Sequence, residues 1–316
     1  MQAESASTGE QVRRVSAIVA QESGFRPERD DGLMRVRRGV YAPTASWAAA
    51  DRDAAYLMRI RAAHAARPNA VFARESALAI HDVPYGLAPA AVFTTGDTRT
   101  AGKKAGIVHA PVELQPLDIT AVGDLAVCSL AYALADVARK CSVLDAVSAI
   151  DAALHQGSVT KAQIIEALGR QGKYRRARAE WAIAFADGAS ESVGESWSRV
   201  RIHQLGFAAP ELQVWVAGPT DKQWRVDMRF RREGRRPVYG EFDGEQKYGK
   251  LANEQGSSGV RALMKEKARD DELLFSGDPV HWIWADLQQP SRLERIMTAY
   301  EVPRLRPPVV DMSRSA

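Results

Sequence analysis

Cysteine is nearly absent: the 316 residues include two, Cys128 and Cys141, each in an apolar, helix-like stretch. Two thiols cannot build a four-ligand zinc site or a disulfide framework, so both are expected to be buried in a reducing compartment. Also missing is any apolar run of the roughly 20 residues that a membrane-spanning helix needs. The opening residues, MQAESASTGEQ, contain no apolar core, so no secretory signal is read there. Aromatic residues make up 7% of the chain and form no stacking motif, which speaks against recognition of splayed single-stranded bases. Histidine is sparse, and His64, His81, His109 and His155 stand too far apart for ligand spacing. The expectation is a soluble, cytoplasmic protein with no membrane partner.

The length predicts two or three domains, and 46% hydrophobic residues suffice for their cores. Net charge is only +4, but the pI is near 9.1 and arginine is clustered, which favours a polyanionic partner such as DNA.

Residues 1–10 are small and polar, and residues 11–22 carry Val12, Val15, Ile18 and Val19 at helical spacing. A loop, RPERDDGL, follows. Residues 33–43 then alternate Met34, Val36 and Val40 with Arg35, Arg37 and Arg38, which predicts a β-ribbon with an arginine-studded face. The words Arg37-Arg38-Gly39-Val40-Tyr41 resemble the small winged-helix module at the N-terminus of AbiEi-type antitoxins and related regulators. The gap before the ribbon is too short for a full recognition helix, so the module, taken as residues 1–46, is abbreviated. A solvated basic hairpin is the other reading. The resemblance implies DNA binding through Arg35, Arg37 and Arg38, and a cognate toxin as a partner.

Residues 47–188 are expected to form an α/β, mostly helical middle domain. Helices are predicted over 47–67, 71–80, 125–139, 143–154 and 160–168, with strands at AVFTT and at 107–114 after the basic turn Lys103-Lys104. This pattern also resembles the second domain of AbiEi-type proteins. Arg170, Lys173, Arg175, Arg176 and Arg178 crowd one short span, as a solvated helix face or a phosphate-contacting patch.

Residues 189–316 carry the chemistry. Ser190 or Ser192 opens a helix on which Glu191, Glu195 and Arg199 recur every four residues. After a strand at 212–216 come WRVDMRF and EFDGEQK, joined by a basic connection. Period two puts Glu241 and Asp243 on one strand face, and Asp227 joins them if the two segments pair. Converging carboxylates repel unless protons or a cation neutralise them, and oxygen-only ligands suit Mg²⁺ or Mn²⁺. Asp227, Glu241, Asp243 and Glu191 are the candidate metal ligands. Lys247, four residues past Asp243, is a candidate for orienting water, and Glu195 for joining the catalytic group. Arg229, Arg231, Arg232, Arg235 and Arg236 are candidate contacts to a nucleic-acid backbone. In the alternative arrangement, Arg225 and Arg229 neutralise Asp227 and the site is inert.

The order helix, three strands, helix, strand resembles the core of the PD-(D/E)xK nuclease superfamily. The words E-x-x-x-E, Gln213, Val226-Asp227, EFDGxxKY and EKxRxxxL resemble its very-short-patch-repair-like branch. The superfamily's lysine usually stands two residues after the second acid, where this chain has Asp243. The resemblance implies an α+β multidomain protein with a restriction-endonuclease-like αβββαβ C-terminal domain. It further implies either Mg²⁺- or Mn²⁺-dependent DNA hydrolysis or a non-catalytic DNA-binding repressor of antitoxin type.

Overall fold

The computed structural model describes residues 13–14, 26–86, 88–96, 101–244 and 267–309. The architecture is mixed α+β in more than one domain, with three separate sheets among the described residues. The chain divides into two compact units, Met1–Lys140 with Val159–Glu180, and Cys141–Ser158 with Trp181–Ala316. Among the described residues no helix is long and apolar enough to cross a membrane.

In the first unit a three-stranded antiparallel sheet is ordered β1 (Arg13–Arg14), β3 (Val40–Pro43), β2 (Leu33–Arg37). The ribbon expected at 33–43 is therefore present. Of the helix expected at 11–22, only Arg13 and Arg14 are described, and they are extended, paired with Tyr41 and Val40. The edge of β3 supplies ladder partners that local helical spacing does not foresee. The expected helix 47–67 is two helices, α1 (Thr44–Ala49) and α2 (Arg52–Ala66). Asp51 breaks it, because its carboxylate caps α2 by accepting from the amides of Asp53 at 3.1 Å and Ala54 at 2.8 Å.

A six-stranded mixed sheet follows, ordered β6 (Gly102–Lys104), β7 (Ile107–Pro111), β5 (Val92–Gly96), β4 (Val71–Phe72), β9 (Leu125–Cys128), β8 (Ile119–Val122). The helices expected at 71–80 and 125–139 each begin as a strand, and only α3 (Arg74–Ile80) and α4 (Leu130–Lys140) are helical. Phe72 and Val127 pair in the middle of this sheet, fully buried, and such short apolar runs read alike as strand or helix. The helix α6 (Lys161–Gly169) starts from a capping box between Thr160 and Gln163.

The second unit has a four-stranded sheet in the order β10 (Glu211–Ala217), β11 (Gln223–Phe230), β12 (Val238–Asp243), β13 (Asp278–Ile283). The first three strands are antiparallel, and β13 is parallel to β12. With α8 (Val193–Gln204) before β10 and helical residues 267–273 before β13, the order is αβββαβ. The strand read at VHWIWADL is shorter, because Trp284 starts α9 (Trp284–Gln288), and α10 (Pro290–Ala299) follows. Phe207, Met228, Phe230, Trp282, Leu293 and Met297 form the main core. The helix α5 (Val143–His155), read with the middle domain from sequence, belongs to this unit and packs on α8. The residue α8 commits to it is Arg199, which donates to Asp151 at 2.7 Å, both buried. Glu191, Glu195 and Arg199, four residues apart along the chain, make their ion pairs and side-chain-to-side-chain bonds with other residues.

Candidate carboxylate site

The neighbouring strands β11 and β12 bring Asp227 and Glu241 to the same end of their ladder. The ladder between β11 and β12 runs Met228↔Gly240, Arg229↔Tyr239, Phe230↔Val238 and goes no further. Asp227 is the next residue of β11, and its Oδ2 accepts from the Phe242 amide at 3.3 Å, beyond the last ladder pair. On the other side β10 pairs with β11 at Leu212↔Met228 and Val214↔Val226 but skips Gln213. The backbone of Gln213 is left-handed, at φ 51°, a strained conformation for a residue with a side chain.

The approach of α8 to this point depends on a glycine. A Cβ on Gly194 would fall 2.0 Å from the Phe242 ring, so only glycine lets helix and strand come this close. The next residue, Glu195, thereby reaches the sheet. Its carboxylate accepts from the Glu191 amide at 3.0 Å, the Ser192 hydroxyl at 2.8 Å and the Gln213 side-chain amide at 2.9 Å. That donation turns Gln213 Oε1 away, leaving it buried with no hydrogen-bond donor among the described residues.

Glu241 sits on β12, which has neighbours on both sides, and it is 4% exposed. Burial pushes its carboxyl up, bonds from Arg269 oppose this, and the charge of Asp227 adds to the rise. Burial likewise raises Glu195, against the bond from the Glu191 amide, and Asp227 again adds to it. Asp227 thus acts electrostatically on both Glu195 and Glu241.

The neutralising cation is Arg269, on the helical residues 267–273. Its two terminal nitrogens bond the two oxygens of Glu241, and Nη2 also donates to the Arg225 carbonyl at 2.7 Å. Asp243, 2% exposed, bonds His281 Nδ1 at 3.0 Å, and Asp270 lies 3.4 Å from His281 Nε2. The hydrogen bond that His281 donates to Asp243 is the main cause that raises His281, to about 9.

Several expected roles change. Glu191 does not join the cluster: Arg225 grips both its oxygens, at 2.8 and 2.6 Å. Arg225 and Arg229, the arginines expected to neutralise Asp227, also bond other acids: Arg225 holds Glu191, and Arg229 shares Glu211 with Arg231. Arg232 and Arg236 both bond Asp278, and Arg235 pairs with Glu301. All five arginines of the basic connection are thus bound to carboxylates of their own unit. Lys247 lies outside the described residues.

A divalent ion needs several convergent ligand oxygens. Both oxygens of Glu241 serve Arg269, and one of Asp243 serves His281. Among the described residues no three or more histidine, cysteine, aspartate or glutamate side chains are grouped to hold a metal. The described side chains, as folded, do not fit Mg²⁺ or Mn²⁺. Arg269 and His281 are the residues that sequence reading passed over. Arg269 stood in the word EKxRxxxL without a role, and His281 in a strand read only as buried, although it lies directly beside Glu241 in register.

Basic residues converge elsewhere, within the first unit. Arg37, at the tip of the β2–β3 ribbon, bonds the Ala105 carbonyl in the β6–β7 turn. That two-residue turn holds Ala105 at φ 49° and Gly106 at φ 75°, the left-handed pair that a tight hairpin requires. Burial lowers Arg37, and the charge of nearby Arg67, at the end of α2, lowers it further. Arg35, Arg38, Arg67, Lys103 and Lys104 are exposed, and among the described residues none has a carboxylate partner. Of the crowded cations of the middle segment, Arg170 binds Asp118 at 2.9 Å, Arg176 binds Glu180 at 2.9 Å and Arg178 binds the carbonyls of Ala138 and Arg139, whereas Arg175 lies over the Tyr174 ring and Lys173 is exposed.

No family model matches the chain. It is similar to two Mycobacterium tuberculosis proteins, Uncharacterized protein MT2308 of strain CDC 1551 / Oshkosh and Uncharacterized protein Rv2248 of strain ATCC 25618 / H37Rv. Each is 34% identical over 101 residues, which cover 32% of this chain and 37% of the relative.

Proposed function

We propose that this chain is a DNA-binding protein of the antitoxin-regulator type, in which the nuclease-like unit serves as a non-catalytic platform. The observation that carries the reading is the meeting of two hairpin tips and a helix end in the first unit. It gathers Arg35, Arg37, Arg38, Arg67, Lys103 and Lys104 with no carboxylate partner among the described residues. A polyanion supplies the missing counter-charge, and short rigid tips suit the phosphates of a duplex better than unstacked bases. Recognition of this kind places the protein on the backbone, and the cations displaced from DNA supply much of the affinity.

The C-terminal unit supports the platform role because its acids are satisfied internally by Arg269 and His281. One observation favours metal-dependent hydrolysis instead: the strained Gln213, with its donor-less Oε1 beside Glu195. An assay with duplex DNA separates the two. The platform reading predicts binding in EDTA that weakens steeply with salt, and intact DNA after long incubation with Mg²⁺ or Mn²⁺. Cleavage that disappears in Asp227→Ala and Glu241→Ala would establish the hydrolase.

A further inference from the structure

We propose that Arg269 is the resident counter-ion of Glu241, the buried acid that shares one end of the β11–β12 ladder with Asp227, and that it keeps divalent cations out. Glu241 is buried on the central strand β12, where a carboxylate without a cation is costly. Arg269 meets that need with a two-pronged bond to Glu241 and a third bond to the Arg225 carbonyl. Glu241 lies on β12 and Arg225 on β11, so one guanidinium bridges the two strands where their ladder has stopped at Met228↔Gly240. A planar fork with two fixed acceptor strands is held far more rigidly than a single ion pair.

A divalent ion at Glu241 would have to expel this fork and remove the donor from the Arg225 carbonyl. Asp227 is already engaged by the Phe242 amide, and Glu195 by three donors. The cluster thus has its cation, from the helix that packs over it.

The test is Mn²⁺ binding by the full chain, followed by electron paramagnetic resonance of the free ion, with thermal unfolding in parallel. Wild type should take up no Mn²⁺ that depends on Asp227. Arg269→Ala should bind one Mn²⁺ at least tenfold more tightly than wild type. That gain should be lost in Arg269→Ala/Asp227→Asn. Arg269→Ala should unfold at a lower temperature than wild type and recover part of the loss in Mn²⁺. Wild-type uptake that falls at least tenfold in Asp227→Asn would overturn the proposal, and needs no destabilised variant. A folded Arg269→Ala that binds no more Mn²⁺ than wild type would overturn it equally. DNA binding by the first unit, measured in EDTA, stands or falls independently of either result.

Discussion

His281 illustrates how a single side chain couples the site to pH. Asp243 accepts from its Nδ1, the Asp270 carboxylate lies 3.4 Å from its Nε2, Glu241 lies alongside, and its titration is raised from 6.5 to about 9. The folded state therefore keeps the proton more tightly than the unfolded chain. The resulting stabilisation is complete below pH ~6.5 and is lost as pH rises through about 9. Urea unfolding at a series of pH values should show stability falling across this window, and His281→Gln should flatten the fall. An unchanged slope in that variant would remove His281 from the account. Asp151 and Arg199 make a second residue-scale case. Breaking their buried pair by Asp151→Ala should cost about 3–5 kcal/mol, read from the denaturation midpoint. None of these pairings was legible in the sequence. Asp151 and Arg199 are 48 residues apart, Glu241 and Arg269 are 28 apart, and periodicity speaks only of near neighbours.

Among elements, the close packing of α8 on β12 positions Glu195, and it rests on Gly194. Gly194→Ala would drive a methyl to 2.0 Å from the Phe242 ring, so the helix must shift. The expected loss is about 1–3 kcal/mol, checked by thermal unfolding. A Gly194→Ala protein as stable as wild type would show that the helix moves without cost. The order of elements in this unit was legible, because Ser192 caps the helix and long strands alternate clearly. In the first unit β4 and β9 were not. They are two and four residues long, apolar throughout, and followed at once by a helix, so the helical period covered them. The acid cluster was half legible. Strand alternation brought Asp227 and Glu241 together, but it assigned the neutralising charge to Lys247 or a metal rather than to Arg269.

At the scale of the whole chain, a net charge of +4 conceals two opposite local arrangements. Around Glu211, Asp278 and Glu241 the second unit binds arginines to its own carboxylates. The first unit leaves cations at the tips of its hairpins. Composition could report the excess but not its address, because pairing is set by which turns meet in space. The ribbon arginines were legible from alternation, whereas the link of Arg37 to the Ala105 turn, which adds Lys103 and Lys104, was not. The most direct measurement is the salt dependence of duplex DNA binding, by fluorescence anisotropy in EDTA, for wild type and for Arg35→Ala/Arg38→Ala/Lys103→Ala/Lys104→Ala. Each lost phosphate contact lowers the slope of log affinity against log salt by about 0.9. The account predicts a slope shallower by roughly 3 to 4 units in the quadruple variant, with affinity weakened to a similar degree on every sequence. A variant that folds and binds with the wild-type slope and affinity would contradict it.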